Sequence, residues 1–229
     1  MNVNKIMTYV LGALAIFIIV LLLIPVAPKE GHRNGPKIIV FGDSLVAGYD
    51  LPAEAAFTPK LQQAFDAQKI EVNLIGMGVS GDTTQGGLDR LNNVIAAEPV
   101  AVILELGAND MLRGIPPDLV KENLDSIITR LKEKNIAVFL AGMQASPTAG
   151  SSYQTAFNRI YVELAQKHEL VFYHFFLDGV AGEPALNLPD GIHPNEKGVE
   201  EIVSRIYPSI FEFYLTLQEQ QQEQQEQPQ

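Results

Sequence analysis

Ser44 stands directly after a short apolar run and the pair Gly42-Asp43. A serine at the turn between a strand and a helix has two common uses. Its hydroxyl either caps the helix or lies exposed at the edge of the sheet, where it can attack a carbonyl carbon. The flanking Gly42 and the small pair Ala47-Gly48 allow the backbone to turn sharply and to approach a substrate closely. This pattern alone leaves both roles for Ser44 open.

Asp190 and His193 lie three residues apart, with Gly191 between them to permit a bend. A carboxylate at this spacing can accept the Nδ1–H of the imidazole, which leaves Nε2 free to accept a serine proton. The alternative is that both residues simply begin the helix that follows Pro194. His193 is thus the candidate base for Ser44, and Asp190 is the group that orients it. The other histidines do not belong to a comparable Asp-x-x-His segment, and we predict that they are structural or solvated: His32, His168 and His174.

Two further loop residues can stabilise the oxyanion that forms when a serine attacks an ester. The candidate donors are the backbone N–H of Ser44, the backbone N–H of Gly81 and the side-chain amide of Asn109. In comparable sites, one such donor stabilises the transition state by roughly 2.7–4 kcal/mol. Taken singly, Gly81 is more often a turn glycine and Asn109 a loop residue that bonds its own backbone.

Short runs rich in β-branched or aromatic residues predict five buried strands, at residues 37–41, 71–75, 100–106, 136–142 and 170–175. Apolar residues at helical spacing predict helices near residues 59–68, 87–97, 118–134 and 151–168, and a last helix after Pro194. This alternation indicates an α/β fold, with a five-stranded parallel sheet covered by helices on both faces. Ligands bind at the carboxyl ends of the strands in such sheets. The candidate residues all follow strand ends.

The length and composition limit the function further. The 229 residues suffice for one α/β domain with a full core. The net charge of -11 disfavours nucleic acid as a partner, because no basic surface is available to displace counterions from phosphates. The absence of cysteine excludes disulfides, thiolate metal sites and cysteine nucleophiles. No glycine-rich nucleotide motif or Walker lysine follows a strand, so no nucleotide cofactor is expected.

The two ends of the chain differ from its middle. Residues 6–24 are uncharged and apolar, and at ~1.5 Å per residue they are just long enough to cross a hydrocarbon core of ~30 Å. This predicts a transmembrane anchor or uncleaved signal in residues 1–27, with a signal peptide cleaved near residue 28 as the alternative. A linker at 28–36 and a catalytic domain at 37–217 are predicted to follow. The Gln/Glu-rich stretch 218–229 is predicted to be a disordered tail.

Together the four loop segments resemble the SGNH, or GDSL, hydrolase family, which is named for its Ser, Gly, Asn and His. They read FGDSLVAGY around Ser44, GVSGDTTQGGLDRL around Gly81, ELGANDMLRG around Asn109, and DGIHPNEKG around Asp190 and His193. The wording of the last three is similar to the bacterial branch of exported multifunctional thioesterases, lysophospholipases and arylesterases.

The resemblance implies a flavodoxin-like three-layer α/β/α fold that needs neither a metal nor an organic cofactor. It implies a serine hydrolase that cleaves aryl and acyl esters, small-molecule or lipid, with thioesters and lysophospholipids as further substrates. With the apolar N-terminus, it also implies an enzyme anchored in the inner membrane with a periplasmic catalytic domain, or a cleaved secreted form. Residues 145–150, ASPTAG, depart from the Pro-Asn-Tyr-Gly-like stretch common in the family, which leaves the acyl-chain preference open.

Two other functions are compatible with the same residues. One is a deacetylase or acyltransferase that acts on cell-envelope polysaccharide through the same triad. The other is a membrane-tethered binding protein that kept the fold and lost catalysis. Loss of catalysis predicts an eroded site, whereas all the candidate residues are intact: Ser44, Gly81, Asn109, Asp190 and His193.

Overall fold

A parallel sheet of five strands lies at the centre of the computed structural model, which describes residues 34–226. The strand order is β2-β1-β3-β4-β5, and every neighbouring pair is parallel. This is the order of flavodoxin-like sheets, in which ligands bind beside the first strand, where the order reverses. The strands are β1 (Lys37–Gly42), β2 (Asn73–Gly78), β3 (Ala101–Glu105), β4 (Ala137–Ala141) and β5 (Val171–Tyr173).

Helices cover both faces of this sheet. They are α1 (Ser44–Ala47), α2 (Phe57–Ala67), α3 (Thr84–Ala96), α4 (Ala108–Leu112), α5 (Pro117–Lys132), α6 (Ser151–His168) and α7 (Glu196–Glu226). Helix α5 packs between α3 and α6, and α2 packs against α7, so the helices form one layer on each face. Strands β1 and β3 are buried almost throughout because both of their faces are covered, and they therefore read as continuous apolar runs.

Strand β2 lies two to three residues beyond its predicted position at 71–75. It pairs with β1 from Lys37 opposite Asn73 to Gly42 opposite Gly78. The apolar pattern missed its end because Gly76 and Gly78 have no side chain to signal a strand. Glycine is needed at position 78, since a Cβ there would lie 2.3 Å from the backbone nitrogen of Ala47. The missing side chain lets α1 lie against the end of β2.

The last helix is longer than the sequence indicated. Its buried face ends near Leu217, but the helix continues to Glu226 through most of the stretch predicted to be a disordered tail. Gln and Glu have good intrinsic helix propensity, so a helix held by packing can continue into such a stretch.

The predicted fold class is corrected on one point, the transmembrane helix. Within residues 34–226 no helix is long and apolar enough to cross a membrane. The stretch at residues 6–24, for which that helix was predicted, lies outside the described residues, as does most of the predicted linker. The supported fold class is the five-stranded α/β/α sandwich by itself. The predicted inner-membrane anchoring with a periplasmic catalytic domain, and the membrane as a partner, depended on that helix and are not supported.

Candidate active site

Ser44 is the first residue of α1, at the carboxyl end of β1. The cap of this helix is Asp43 and not Ser44, because an oxygen of the Asp43 carboxyl group accepts the Leu45 N–H at 3.0 Å. The Ser44 hydroxyl is therefore not used to cap the helix. Its Oγ lies 2.9 Å from Nε2 of His193, a residue 149 positions further along the chain.

The loop before α7 brings His193 to Ser44 and Asp190 to His193. Nδ1 of His193 lies 2.6 Å from Oδ2 of Asp190. The other carboxylate oxygen, Oδ1, accepts the backbone N–H groups of Ile192 at 2.9 Å and of His193 at 3.0 Å. Helix α7 begins only at Glu196. Asp190 and His193 thus form a structured turn ahead of the helix instead of its first residues.

Charge fixes the proton positions in this chain of contacts. Desolvation opposes ionisation of Asp190, but the hydrogen bonds from the His193 ring and from the His193 and Ile192 N–H groups outweigh it and lower its pKa to about 2. A carboxylate only accepts hydrogen bonds, so Nδ1 of His193 carries the proton. In the neutral imidazole this leaves Nε2 as the acceptor, which can take up the Ser44 hydroxyl proton.

Tyr49, which follows α1, covers one face of the His193 imidazole. The two rings are stacked, with centroids 4.3 Å apart and an interplanar angle of 28°. This contact restricts rotation of the imidazole, which is already held by Asp190 at one edge. Tyr49 belongs to the FGDSLVAGY segment, but no pattern in the sequence marks it as a partner of His193.

Gly81 lies in a tight turn at the end of β2. The turn is closed by a hydrogen bond from the Asp82 N–H to the Val79 carbonyl at 3.1 Å. Gly81 is its third residue and has φ +85, a conformation that suits glycine and strains other residues. Among the described residues, neither the Gly81 N–H nor the Ser44 N–H donates to a protein acceptor. Both remain free for a ligand.

Asn109 is the second residue of α4 and already uses its amide group. Its Nδ2 donates to Oδ2 of Asp43 and to the carbonyl of Asp82, both at 2.9 Å. The amide therefore ties the residue before Ser44 to the residue after Gly81. An oxyanion would have to share or replace one of these two acceptors.

The neighbouring Asp110 fixes α4 against α3. It is fully buried, and its two oxygens accept the backbone N–H of Thr84 at 2.8 Å and the Thr84 hydroxyl at 2.7 Å. Thr84 is the first residue of α3, where unpaired N–H groups and the helix dipole favour a negative charge. This bond sets the position of Asn109 relative to the Gly81 turn.

Two further buried carboxyl groups lie beneath the nucleophile. Asp43 and Glu105 have no exposed surface, and the Asp43 N–H points to Oε2 of Glu105 at 3.4 Å. Desolvation raises the pKa of Asp43 to about 6, against the lowering effect of its hydrogen bonds to Leu45 and Asn109. Burial likewise raises the pKa of Glu105, and the nearby Asp43 raises it further. Both effects favour the neutral form of the Glu105 carboxyl group.

This pair predicts how stability depends on pH. An unfolded Asp has a pKa of about 3.9, so between pH ~4 and ~6 folded Asp43 binds more protons than unfolded Asp43. The free energy of unfolding should therefore fall as pH rises through this range, and the raised pKa of Glu105 adds a contribution of the same sign. Urea unfolding from pH 4 to 8 should show a shallower fall for Asp43→Asn than for the wild type.

Self-repulsion of a chain with net charge -11 also grows with pH, so a control is needed. Glu54→Gln removes an exposed carboxylate instead. Equal slopes for the two variants would contradict the assignment of the slope to Asp43.

Several residues that shape the site were missed from the sequence. Asp43, Tyr49, Arg90, Glu105 and Asp110 all lie inside or beside the four quoted segments. Their neighbours carry the recognisable chemistry, and nothing in the residue types alone distinguishes these residues from their surroundings. For Glu105, at the end of β3, a usable signal was the cost of a charged residue in an otherwise apolar run.

Of the other histidines, His168 lies 2.6 Å from Asp125 and His174 packs on the ring of Phe172; neither makes a hydrogen bond or ring contact with the triad in the described part of the chain. His32 is outside the described residues. Within residues 34–226, no group of three or more His, Asp or Glu side chains is arranged to hold a metal ion.

A Ser-His-Asp chain beside two free N–H groups, at the carboxyl edge of a flavodoxin-like sheet, defines a class of protein: the serine hydrolases that form an acyl-enzyme. Comparison with known proteins narrows the class. Residues 40–200 match the model of the GDSL-like Lipase/Acylhydrolase family. The chain belongs to this family and is a carboxylic ester hydrolase, which confirms the resemblance seen in the sequence.

Individual relatives agree with this assignment. The chain is 37% identical over 167 residues to an arylesterase of Vibrio mimicus, covering 72% of this chain and 84% of that one. It is 35% identical over 159 residues to thioesterase 1/protease 1/lysophospholipase L1 of Escherichia coli K12, covering 69% of this chain and 75% of that one. Among solved structures, the psychrotrophic esterase EstA from a Pseudoalteromonas species, inhibited by monoethylphosphonate, superposes with a TM-score of 0.75 at 31% identity. That match covers 79% of this chain and 99% of EstA.

Proposed function

We propose that the chain hydrolyses carboxylic esters through Ser44 as nucleophile, His193 as base and then acid, and Asp190 as the group that orients His193. The observation that carries this proposal is the unbroken series of contacts from Ser44 Oγ to His193 Nε2, at 2.9 Å, and from His193 Nδ1 to Asp190 Oδ2, at 2.6 Å. Both distances allow proton transfer or a charge-assisted hydrogen bond.

The reaction then proceeds in two halves. Ser44 Oγ attacks the ester carbonyl carbon while its proton passes to Nε2 of His193. The imidazolium returns that proton to the leaving alcohol as the carbon–oxygen bond breaks, which leaves an acyl group on Ser44. Water attacks the acyl-enzyme with His193 again as base, so the acid leaves and the Ser44 hydroxyl is restored. The Asp190 carboxylate stabilises the imidazolium in both halves.

The proposed oxyanion donors are the Ser44 N–H, the Gly81 N–H and the side-chain amide of Asn109. The two backbone groups have no protein acceptor among the described residues, which supports their assignment. The case for Asn109 rests on its place between their two loops, where it bonds to Asp43 and Asp82.

Apolar side chains around the nucleophile support an apolar acyl or aryl group in the substrate. Four large hydrophobic side chains in the loops and short helices at this edge are 45–52% exposed: Tyr49, Val79, Leu112 and Ile192. Exposed apolar groups next to reactive ones commonly mark ligand contacts. They favour aryl esters, acyl thioesters and lysolipids over acetylated sugars.

A hydrolysis screen tests this order of substrates. We expect kcat/KM for aryl esters, acyl thioesters and lysolipids to exceed that for acetylated oligosaccharides. A preference for the acetylated sugars would instead support the polysaccharide deacetylase function. No hydrolysis of any ester would contradict the proposed function.

Substitution of Asn109 tests the third donor. Asn109→Ala should lower kcat roughly a hundred- to a thousandfold with little change in KM, since an oxyanion donor acts only in the transition state. Asn109→Asp should be at least as damaging, because a carboxylate cannot donate and would face both Asp43 and the developing charge. The measurement is steady-state kinetics per folded molecule, with urea unfolding in parallel.

The control is Asn92→Ala, which removes an exposed asparagine of α3 whose side chain accepts a bond from Arg130 at 2.7 Å. It should leave kcat unchanged. If Asn109 only braces its loops, both Asn109 variants will lose stability while kcat per folded molecule stays near that of the wild type. That result would leave the Ser44 and Gly81 N–H groups as the donors.

A further inference from the structure

Arg90, on α3, reaches three separate segments at the edge of the sheet. Its Nε lies 2.5 Å from Oδ2 of Asp82, its Nη1 donates to the Met77 carbonyl at 2.9 Å, and its Nη2 donates to the Gly42 carbonyl at 2.8 Å. The guanidinium also lies over the ring of Phe41, with Cζ 4.3 Å from the ring centroid. The side chain is only 19% exposed, so water screens these contacts weakly.

The bonded groups flank the two loops that carry the proposed oxyanion donors. Gly42 lies two residues before Ser44, and its carbonyl also accepts the Val79 N–H at 3.1 Å. Asp82 directly follows Gly81, and its own carbonyl accepts an amide proton of Asn109. A change in the position of Arg90 would therefore change the separation between the Ser44 and Gly81 N–H groups.

We propose that Arg90 is a positioning residue that holds the nucleophile turn and the Gly81 turn at the separation needed to bind the oxyanion. This inference rests on the proposed function of Ser44 and Gly81. The planar guanidinium places several donors in fixed directions, which an ammonium group does not do. Arg90 also balances the charge of Asp82, which would otherwise stand uncompensated one residue from a site where negative charge develops.

The first test is the kinetics of Arg90→Lys and Arg90→Ala. Displacing groups at a reacting centre by about 1 Å can lower a rate by about a hundredfold. We expect kcat per folded molecule to fall ten- to a hundredfold in both variants, with KM within threefold of the wild type. Arg90→Lys should retain little more activity than Arg90→Ala, because lysine keeps the positive charge but lacks the planar set of N–H donors.

Chemical rescue separates positioning from a general loss of stability. Arg90→Ala leaves a partly exposed space of guanidinium size. Guanidinium, added below concentrations that shift unfolding, should raise kcat of Arg90→Ala severalfold and leave the wild type unchanged. Asp82→Asn should reduce both the effect of Arg90→Ala and the rescue, because the two side chains act through one bond.

Arg130→Ala is the matched control, since Arg130 joins two segments of the chain, the helices α5 and α3, through a side-chain bond to Asn92 but lies away from the site. Its kcat should equal that of the wild type, with or without guanidinium.

Reaction of Ser44 with a fluorophosphonate in the wild type tests the underlying function separately. If the wild type reacts and Arg90→Ala keeps wild-type kcat per folded molecule, the positioning role is overturned and the proposed nucleophile stands. Loss of activity only in proportion to loss of folded protein, without rescue, also overturns it.

Discussion

Ser44→Ala should lower kcat about a millionfold, the loss seen when the nucleophile of a comparable triad is removed. Among residues 34–226, the hydroxyl of Ser44 is the only group within hydrogen-bond distance of Nε2 of His193. Without it the base has no attacking oxygen to activate other than water. A fluorophosphonate should label the wild type once, and Ser44→Ala should take up no label.

The variant should remain folded, which allows the loss to be read as chemistry. The Ser44 side chain makes one hydrogen bond, to His193, so its removal should change the free energy of unfolding by no more than about 1.5 kcal/mol. Ser80→Ala is the control, because Ser80 is an exposed serine in the Gly81 turn. It should keep both activity and label. Labelling of Ser44→Ala at the wild-type rate would contradict the assignment of the nucleophile.

The general architecture could be predicted from the sequence because apolar periodicity reports burial. Strands β1 and β3 are covered on both faces, so their residues form uninterrupted apolar runs that single them out. The short helices α1 and α4 gave no periodic pattern in the sequence, because four or five residues are too few to show one. Yet these two helices carry Ser44 and Asn109. The elements most important for the site gave the weakest pattern.

The sequence singled out the candidate triad and the contacts within it, but not the hydrogen bonds that hold the surrounding loops together. The residue types and their order indicated Ser44, His193 and Asp190, since each type has a particular acid–base property. Which acceptors Asn109 bonds depends on how three loops fold together, and no local pattern records that. The same holds for Arg90, whose partners lie 8, 13 and 48 residues away. From the sequence alone, it was one more charged residue on an amphipathic helix.

The membrane-spanning helix predicted for residues 6–24 shows that a strong local signal can also give a prediction that is not supported. Hydropathy over residues 6–24 was a strong local signal, but the part of the chain that the structure describes contains no helix able to cross a membrane. Hydropathy indicates only whether a segment is long and apolar enough to cross a bilayer. It carries no information on how the segment relates to the folded domain.

Asp190→Asn should lower kcat about ten-thousandfold, as in triads where the same change leaves the geometry intact. Oδ1 of Asp190 accepts two backbone N–H groups, from Ile192 and His193, so the asparagine carbonyl oxygen must keep that place. The new NH2 group then takes the place of Oδ2, 2.6 Å from Nδ1 of His193. An amide donor at that position forces the proton of the imidazole onto Nε2. His193 can then no longer accept the proton of Ser44.

The direction of this effect distinguishes orientation of the base from support of the loop. If Asp190 only supports its loop through Oδ1, Asp190→Asn will retain that support and stay active, whereas Asp190→Ala will not. If it sets the tautomer, Asn should be at least as damaging as Ala, because Ala leaves the imidazole free to adopt either tautomer. Asp125→Asn is the matched control, since Asp125 lies 2.6 Å from Nε2 of His168 in a second Asp–His pair. It should keep wild-type kcat. Near-wild-type kcat in folded Asp190→Asn would remove Asp190 from the triad and leave His193 and Ser44 as a dyad.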